Sequence, residues 1–395
     1  MYQEILLKPK KDDSLKRFHP WVFSGALAEG TSFPEEGTVV RILDAEGSFL
    51  GVGHYQVGSI AVRILSFRDE AIDSSFYRSA LVRALQLRQQ LRLIRNDNTI
   101  YRLVHGEGDH LPGLIIDIYG RTAVIQAHSA GMHRDLELIT RALKEILPGD
   151  QLKHIYYKSE STLPYKAGLG AEDGYLWGGE AAEAVALENG LQFQIDWLRG
   201  QKTGFFIDQR ENRCLLEKYA AGRRFLNMFC YTGGFSVYAL RGGAVLVDSV
   251  DSSSKAISVT NHNIGLNFGE MPRHNSFAED AFRYLKETPV GKYDLILLDP
   301  PAFAKHRGAV NNALQGYKKL NHAALAKIAP GGILFTFSCS QAISREQFRL
   351  AVFSAAAISG RRVRILHQLT QPADHPVNMY HPEGEYLKGL VLEVE

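Results

Sequence analysis

Cysteine is scarce in this chain of 395 residues. The three present, Cys214, Cys230 and Cys339, are widely spaced, form no CxxC pair and have no His-rich run beside them, so neither a disulfide framework nor a zinc site is expected. Fourteen histidines are scattered without an HExxH, and no metal is expected. No run of about eighteen apolar residues occurs, and the start MYQEILLKPKKDD lacks the shape of a signal peptide. A cytoplasmic enzyme or binding protein with no membrane partner is the expectation. Excess charge is small, with 45 basic and 43 acidic residues leaving +2, so a nucleic-acid partner has to be argued from local patches. Internal repeats and low-complexity tracts are absent. At 45% hydrophobic and 22% charged residues the composition is that of a globular protein, and the length calls for two or three domains.

Residues 1 to about 70 hold short segments of strand character, EILLKP, GTVVRILD, FLGVGHY and SIAVRILSF, at a spacing that suits a small β-barrel or sandwich. Lys8, Lys10, Lys11, Lys16 and Arg17 precede His19-Pro-Trp-Val-Phe23, which sets positive charge beside aromatic faces such as Trp21. Phosphate contact and base stacking need those two ingredients, although a solvated lysine loop beside core aromatics would look the same. A helix is predicted over 74–96 with Arg88, Arg92 and Arg95 on one side, placed either to track a phosphate backbone or simply to solubilise an exposed face. Strands at 100–104, 114–119, 122–127 and 154–158 and a helix at 134–147 then mark a small α+β module. The expected domains are 1–72, 73–183 and 184–395.

From about residue 187, strand candidates at 224–229, 244–250, 295–298, 332–337 and 363–368 alternate with helix candidates at 210–221, 234–241, 252–267 and 314–328, which implies a doubly wound parallel sheet. The apolar run Leu295-Ile-Leu-Leu ends in Asp299-Pro-Pro-Ala-Phe303, and ligands of open α/β sheets bind beyond such strand ends. Two prolines fix two φ angles and leave only carbonyls for hydrogen bonding, so the loop is either a rigid cap or a stiff mount for Asp299 and Phe303. The first strand runs into Asn227-Met-Phe-Cys-Tyr-Thr-Gly-Gly-Phe-Ser236, where Gly233 and Gly234 permit a tight turn and close approach. That spacing is not GxGxxG and lacks the Lys-Ser/Thr of a P-loop, which weakens dinucleotide and triphosphate readings. Asp251, before Ser252 and the next helix, suits two ribose hydroxyls or a plain helix cap. Asp280, followed by Ala281, stands where a third strand would end and suits an adenine amino group.

A glycine turn, a ribose acid, an adenine acid and DPPAF in sheet order resemble the class I S-adenosylmethionine-dependent methyltransferases, whose cofactor has no pyrophosphate to cradle. Blocks across the whole chain, HPWVFSGAL at 19–27, RLVHGEGDHLPGLIIDIYG at 102–120, TGFFIDQR at 203–210, NMFCYTGGFSV at 227–237, DPPAFAK at 299–305, FSCS at 337–340 and PEGEYLKG at 382–389, resemble the bacterial large-subunit ribosomal RNA cytosine-5 methyltransferases. The resemblance implies an N-terminal PUA-like β-barrel that binds RNA, a small central α+β domain and a C-terminal Rossmann-like domain. It implies S-adenosyl-L-methionine as cofactor, large-subunit ribosomal RNA as partner and a possible homodimer. It also implies a cofactor pocket lined by Asp208, Gln209, Arg210, Phe229, Tyr231, Thr232, Gly233, Asp251, Ser252, Asp280, Ala281 and Asp299, with Phe303, Lys305, Lys16, Arg17 and Trp21 toward the RNA.

Carbon 5 of cytosine is a poor nucleophile, and a thiolate adding to carbon 6 makes an enamine that can attack a methyl sulfonium. Cys339, just past the apolar strand Ile333-Leu-Phe-Thr-Phe337, is the candidate nucleophile and Asp299 the group that activates the ring. An inert buried thiol is the competing reading of Cys339, and Cys230 is expected to pack near the cofactor. Two other functions compete. One is methylation of a guanine nitrogen or exocyclic amine, which needs no cysteine; the other is a non-catalytic RNA-binding assembly factor.

Overall fold

Apolar residues at every second position build the first sheet. Val40 and Ile42 point into the core while Arg41, between them, ion-pairs with Glu4 and Asp69 at 2.6 and 2.7 Å. The structure, a computed structural model, describes residues 2–30, 32–164, 169–170, 172–179, 184–304 and 307–395. It divides into two units, Met1–Gly190 with Ile195–Ile207 and Ala373–Gly384, and Leu191–Gln194 with Asp208–Pro372 and Glu385–Glu395.

In the first unit, β1 (Gln3–Leu6), β2 (Trp21–Phe23), β3 (Val39–Leu43), β4 (Phe49–Tyr55) and β5 (Ile60–Ser66) pair in the order β1-β3-β4-β5-β2, with the short helix α1 (Asp13–Lys16) before β2. Ile5, Leu7, Val22, Val62 and Ile64 close its core. Helix α2 (Ser74–Gln90) starts on Asp73, whose carboxylate accepts from the N–H groups of Ser75 and Phe76. A second sheet, β6 (Ile100–His105), β7 (Leu114–Tyr119), β8 (Thr122–Ala127), β9 (His154–Tyr157) and β10 (Gly174–Trp177), runs in the order β10-β9-β8-β7-β6, and packs its apolar side on α2. Strand β11 (Val185–Glu188) follows.

Two expectations fail in this unit. The helix predicted to Asn96 stops at Gln90, and Arg92 sits in the left-handed region at φ +54, so Arg88, Arg92 and Arg95 form no stripe. Arg88 is fully buried: it holds Asp109 through both terminal nitrogens and donates to the Arg102 and Asp374 carbonyls at 2.7 and 2.8 Å. A buried guanidinium needs such partners, and Arg95 is taken by Asp97 and Asn189 at 2.8 Å each. The helix expected over 134–147 is two, α3 (Ala130–Arg134) and α4 (Leu136–Ile146). Asp135 breaks them apart, its carboxylate engaged by Tyr77 Oη and His54 Nε2 at 2.5 and 2.9 Å.

The second unit begins with β12 (Leu191–Gln194). Its sheet contains β13 (Arg224–Met228), β14 (Leu246–Asp251), β15 (His274–Ala278), β16 (Leu295–Leu298), β17 (Gly332–Ser338), β18 (Val363–Leu369) and β19 (Lys388–Val394) in the order β15-β14-β13-β16-β17-β19-β18. Helices α5 (Arg210–Tyr219), α6 (Gly234–Arg241), α7 (Ser254–Phe268), α8 (Ala281–Glu287), α9 (Val310–Lys327) and α10 (Arg345–Ser359) lie between the strands. The central strands are parallel as expected, but β19 runs antiparallel to both β17 and β18. Parallel pairing needs a crossover, most often a helix, and only a single turn of 3-10 helix (Pro382–Gly384) separates β18 from β19. Residues 373–384, between those two strands, belong to the first unit, where Asp374 Oδ2 accepts from the Arg102 N–H at 3.0 Å. Among the described residues no helix is long and apolar enough to cross a membrane.

Candidate active site

Strand register sets the site. Met228 faces Val250 on one side and Leu298 on the other, and Leu298 faces Thr336. One residue further out, Phe229, Asp251 and Asp299 therefore share a level along the carboxyl edge, where strand order reverses between β13 and β16, the position at which open α/β sheets bind their ligands.

The loop from β13 to α6 is wound tightly, with Phe229, Tyr231 and Gly233 at φ +60, +47 and +77. Left-handed backbone at two non-glycine residues costs about 1–3 kcal/mol each and persists only where the surroundings enforce it. The enforcing groups are visible. Asp251 Oδ2 accepts from the Tyr231 N–H at 2.9 Å, Thr260 Oγ1 donates to the Tyr231 carbonyl at 2.9 Å, and Asn263 Nδ2 donates to the Thr232 carbonyl at 2.8 Å. Gly233 serves a close approach of α7: a Cβ there would stand 2.6 Å from Thr260 Cγ2. Thr232 is buried, and burial pushes the Cys230 thiol up, which suits a packing role for that cysteine.

Asp251 is half-buried and uses its second oxygen to accept from the Ser253 N–H at 2.9 Å, beside the exposed Ser252. Two backbone bonds leave further lone-pair sites on a carboxylate. Asp280 is exposed and caps α8, accepting from the Arg283 N–H at 2.9 Å, while Ala281 is buried in the first turn. Asp299 accepts from Gln209 Nε2 at 3.0 Å, and Gln209 in turn accepts from Asn212 Nδ2 at 2.6 Å. Upstream, buried Asp208 accepts from the Tyr386 hydroxyl at 2.7 Å, and Arg210 is buried at the start of α5.

Phe303 packs on α9, its ring 4.7 Å from that of Tyr317, which occupies much of the surface expected to face a base. Lys305 lies outside the described residues. Cys339 is half-exposed one residue beyond β17, its Sγ 4.0 Å from the Pro300 carbonyl oxygen, so the thiol and the Asp299 loop are neighbours. Lys388 stands opposite Ser338 on β19 and was not anticipated, although it lies in the PEGEYLKG block, as does Tyr386. Asn212 and Tyr317 were also missed, because an amide or a phenol on a helix carries no local signal until its partner is placed.

Lys16, Arg17 and Trp21 belong to the first unit. Arg17 is exposed, Lys16 ion-pairs with Asp12 at 2.5 Å, and the Trp21 indole N–H donates to Glu107 at 2.9 Å beside the rings of His19 and His381.

The donor set fits S-adenosylmethionine. Carboxylates and strained backbone line the edge, and neither 227–236 nor 299–304 contains a lysine or arginine for a pyrophosphate. A family model described as an S-adenosylmethionine-dependent methyltransferase matches residues 163–380, and one described as a PUA-like domain matches 5–67. The chain is 38% identical over 398 residues to ribosomal RNA large subunit methyltransferase I of Alteromonas mediterranea, covering 100% of this chain and 99% of that protein. It is 39% identical over 398 residues to the protein of the same name from Tolumonas auensis, with 99% of each covered. Among solved structures, a protein described as a SAM-dependent methyltransferase from Streptococcus mutans has the same fold, with a TM-score of 0.84 at 23% identity over 99% of this chain and 100% of that one. A protein described as a methyltransferase and determined in complex with SAH gives 0.85 at 24% identity, again over 99% and 100%. With full-length relatives at this level of identity, the chain belongs to the ribosomal RNA large subunit methyltransferase I family of S-adenosylmethionine-dependent enzymes.

Proposed function

We propose that this methyltransferase acts on large-subunit ribosomal RNA in the cytoplasm and forms 5-methylcytosine through a covalent adduct at Cys339. The observation that carries the reading is the position of that thiol, half-exposed at the end of β17 and beside the Asp299-Pro300-Pro301 turn. The names of the full-length relatives supply the substrate class.

Asp251, Asp280 and the Phe229 to Gly233 loop would hold the cofactor along the edge, and it would supply an electrophilic methyl group on a sulfonium. The protein's own groups make the base nucleophilic. Cys339 as thiolate gives its electron pair to carbon 6, and the ring electrons shift toward carbon 5 as negative charge builds on nitrogen 3. A proton held on Asp299, which Gln209 and Asn212 orient, meets that charge. After methylation a solvent water takes the carbon 5 proton, the freed electron pair re-forms the ring double bond as the thiolate is expelled, and nitrogen 3 returns its proton to Asp299. A stacked base is out of reach, so the target nucleotide must be splayed into the site. Lys16, Arg17 and Trp21 are the residues this reading assigns to RNA contact, on the ground that they set positive charge beside an aromatic face. A homodimer belongs to the same reading, supported by the exposed Leu350 and Phe353 on α10, and a single-chain species in sedimentation velocity would remove it.

The deciding experiment is transfer of labelled methyl from S-adenosylmethionine to unmethylated large-subunit ribosomal RNA, followed by nucleoside analysis. Label in 5-methylcytosine is expected, with Cys339→Ala losing turnover by several orders of magnitude while retaining cofactor binding. Label in a guanosine, or full turnover by Cys339→Ala, refutes the covalent route. Failure to bind S-adenosylmethionine at micromolar concentration would leave a non-catalytic RNA-binding protein.

A further inference from the structure

The mechanism above uses Cys339 as a thiolate, yet an ordinary cysteine is mostly protonated at neutral pH. One buried cation stands next to it. Lys388, 5% exposed, is the first residue of β19 and pairs in register with Ser338, the last residue of β17. Its Nζ donates to the carbonyls of Ser340 and Ile343 at 2.6 Å each, so both ends of the turn that follows the thiol are tied to one ammonium group. Those bonds use two of its three N–H donors. Lys388 forms no ion pair among the described residues, which is unusual for a lysine removed from water.

We propose that Lys388 is the positioning residue for Cys339, clamping the turn that carries the thiol and supplying the positive charge that favours its thiolate. The inference rests on the covalent reading for its catalytic meaning, but the pairing itself does not depend on which base is methylated. Burial lowers Lys388 to about 8, and the neighbouring Cys339 thiolate pulls in the opposite direction, as expected when each charge stabilises the other. Among the described residues, its other charged neighbours include Arg345 and Glu385. Arg345, at the start of α10, opposes the ammonium; Glu385 favours it and is ion-paired to Arg345, so their effects offset. Tyr317 on α9 reaches the same turn through Ser340 Oγ at 3.0 Å, and burial raises its phenol, leaving it neutral. Asp299 lies on the loop that faces the thiol and, holding the proton that the proposed route assigns to it, sets no negative charge against the thiolate.

The test is the pH dependence of alkylation at Cys339, followed on its own peptide by mass spectrometry after brief iodoacetamide treatment of the full-length protein. The wild-type thiol is expected to half-react below the usual thiol range near 8.5. Lys388→Gln keeps amide donors for the two carbonyls and removes the charge; its midpoint should rise by about one to two pH units. Lys388→Arg keeps the charge and should stay near the wild-type midpoint. Coincident curves for wild type and Lys388→Gln overturn the proposal. So does a wild-type midpoint at or above 8.5, a result that needs no variant to fold. Nucleoside analysis separates the two claims: a methylated guanosine with the raised Lys388→Gln midpoint intact removes the cytosine reading alone, and 5-methylcytosine with coincident curves removes the role of Lys388 alone.

Discussion

Asp251→Asn exchanges one carboxylate oxygen for an NH₂ group, and the structure makes it far from conservative. Both carboxylate oxygens accept backbone N–H groups, from Tyr231 at 2.9 Å and Ser253 at 2.9 Å. An asparagine offers one acceptor and one donor, so in either orientation an amide N–H₂ is pushed against a backbone N–H. A hydrogen bond to a charged group contributes about 1.5–3 kcal/mol, and Tyr231 sits at φ +47 only because its surroundings hold it there. The loop should relax, and the groups placed for the cofactor's ribose should move with it. Taking the same 1.5–3 kcal/mol for cofactor binding gives about a 10- to 150-fold loss in affinity. Titration calorimetry with S-adenosylmethionine measures this directly, and thermal melting of the free protein reports the loop separately. An Asp251→Asn protein that binds the cofactor like the wild type and melts at the same temperature would refute the two-sided role assigned to this carboxylate.

Acid should weaken the fold over a definite window. Burial pushes the imidazole of His274 down to about 4, against about 6.5 in an unfolded chain. As pH falls the unfolded state takes up this proton first, so the stability involved is whole above 6.5 and drains between 6.5 and 4, at no more than about 1.4 kcal/mol for each pH unit crossed. Urea midpoints that stay flat across that range would contradict the assignment. Salt should act on RNA binding. Arg17→Ala is expected to reduce the slope of log affinity against log salt by about 0.7–0.9, and Lys16→Ala by less because Asp12 already pairs with it; equal effects from the two would argue against that difference.

Much of the architecture was legible because it rests on apolar runs. The strands at 114–119, 122–127 and 295–298 occur at the expected residues, and the edge formed by Phe229, Asp251 and Asp299 follows from strands that end together. What stayed hidden depends on partners distant in sequence. Arg88 reads as a solvated helical arginine until Asp109 and Asp374 are brought to it. The direction of β19 follows from the lack of a crossover helix, which composition does not announce. Helix α10 did carry a local signal that went unread: Ser344 and Gln347 form a capping box, the S-x-x-Q pattern at a helix start. At the site, the acids stood out by strand position, whereas Lys388 is an ordinary strand lysine until its register with Ser338 is known.

The assignment of residues 373–384 to the first unit bears on how the protein is made. Arg88 and Arg102 are synthesised early, yet the carbonyl and carboxylate of Asp374 that satisfy them emerge only when the chain is almost complete. During translation the N-terminal sheets can collapse while a buried guanidinium and a buried amide still lack one partner each. Native closure of the first unit is thus deferred until after most of the second has left the ribosome. A nascent chain stalled before residue 374 should accordingly be more easily cleaved by protease around 88–109 than the released protein.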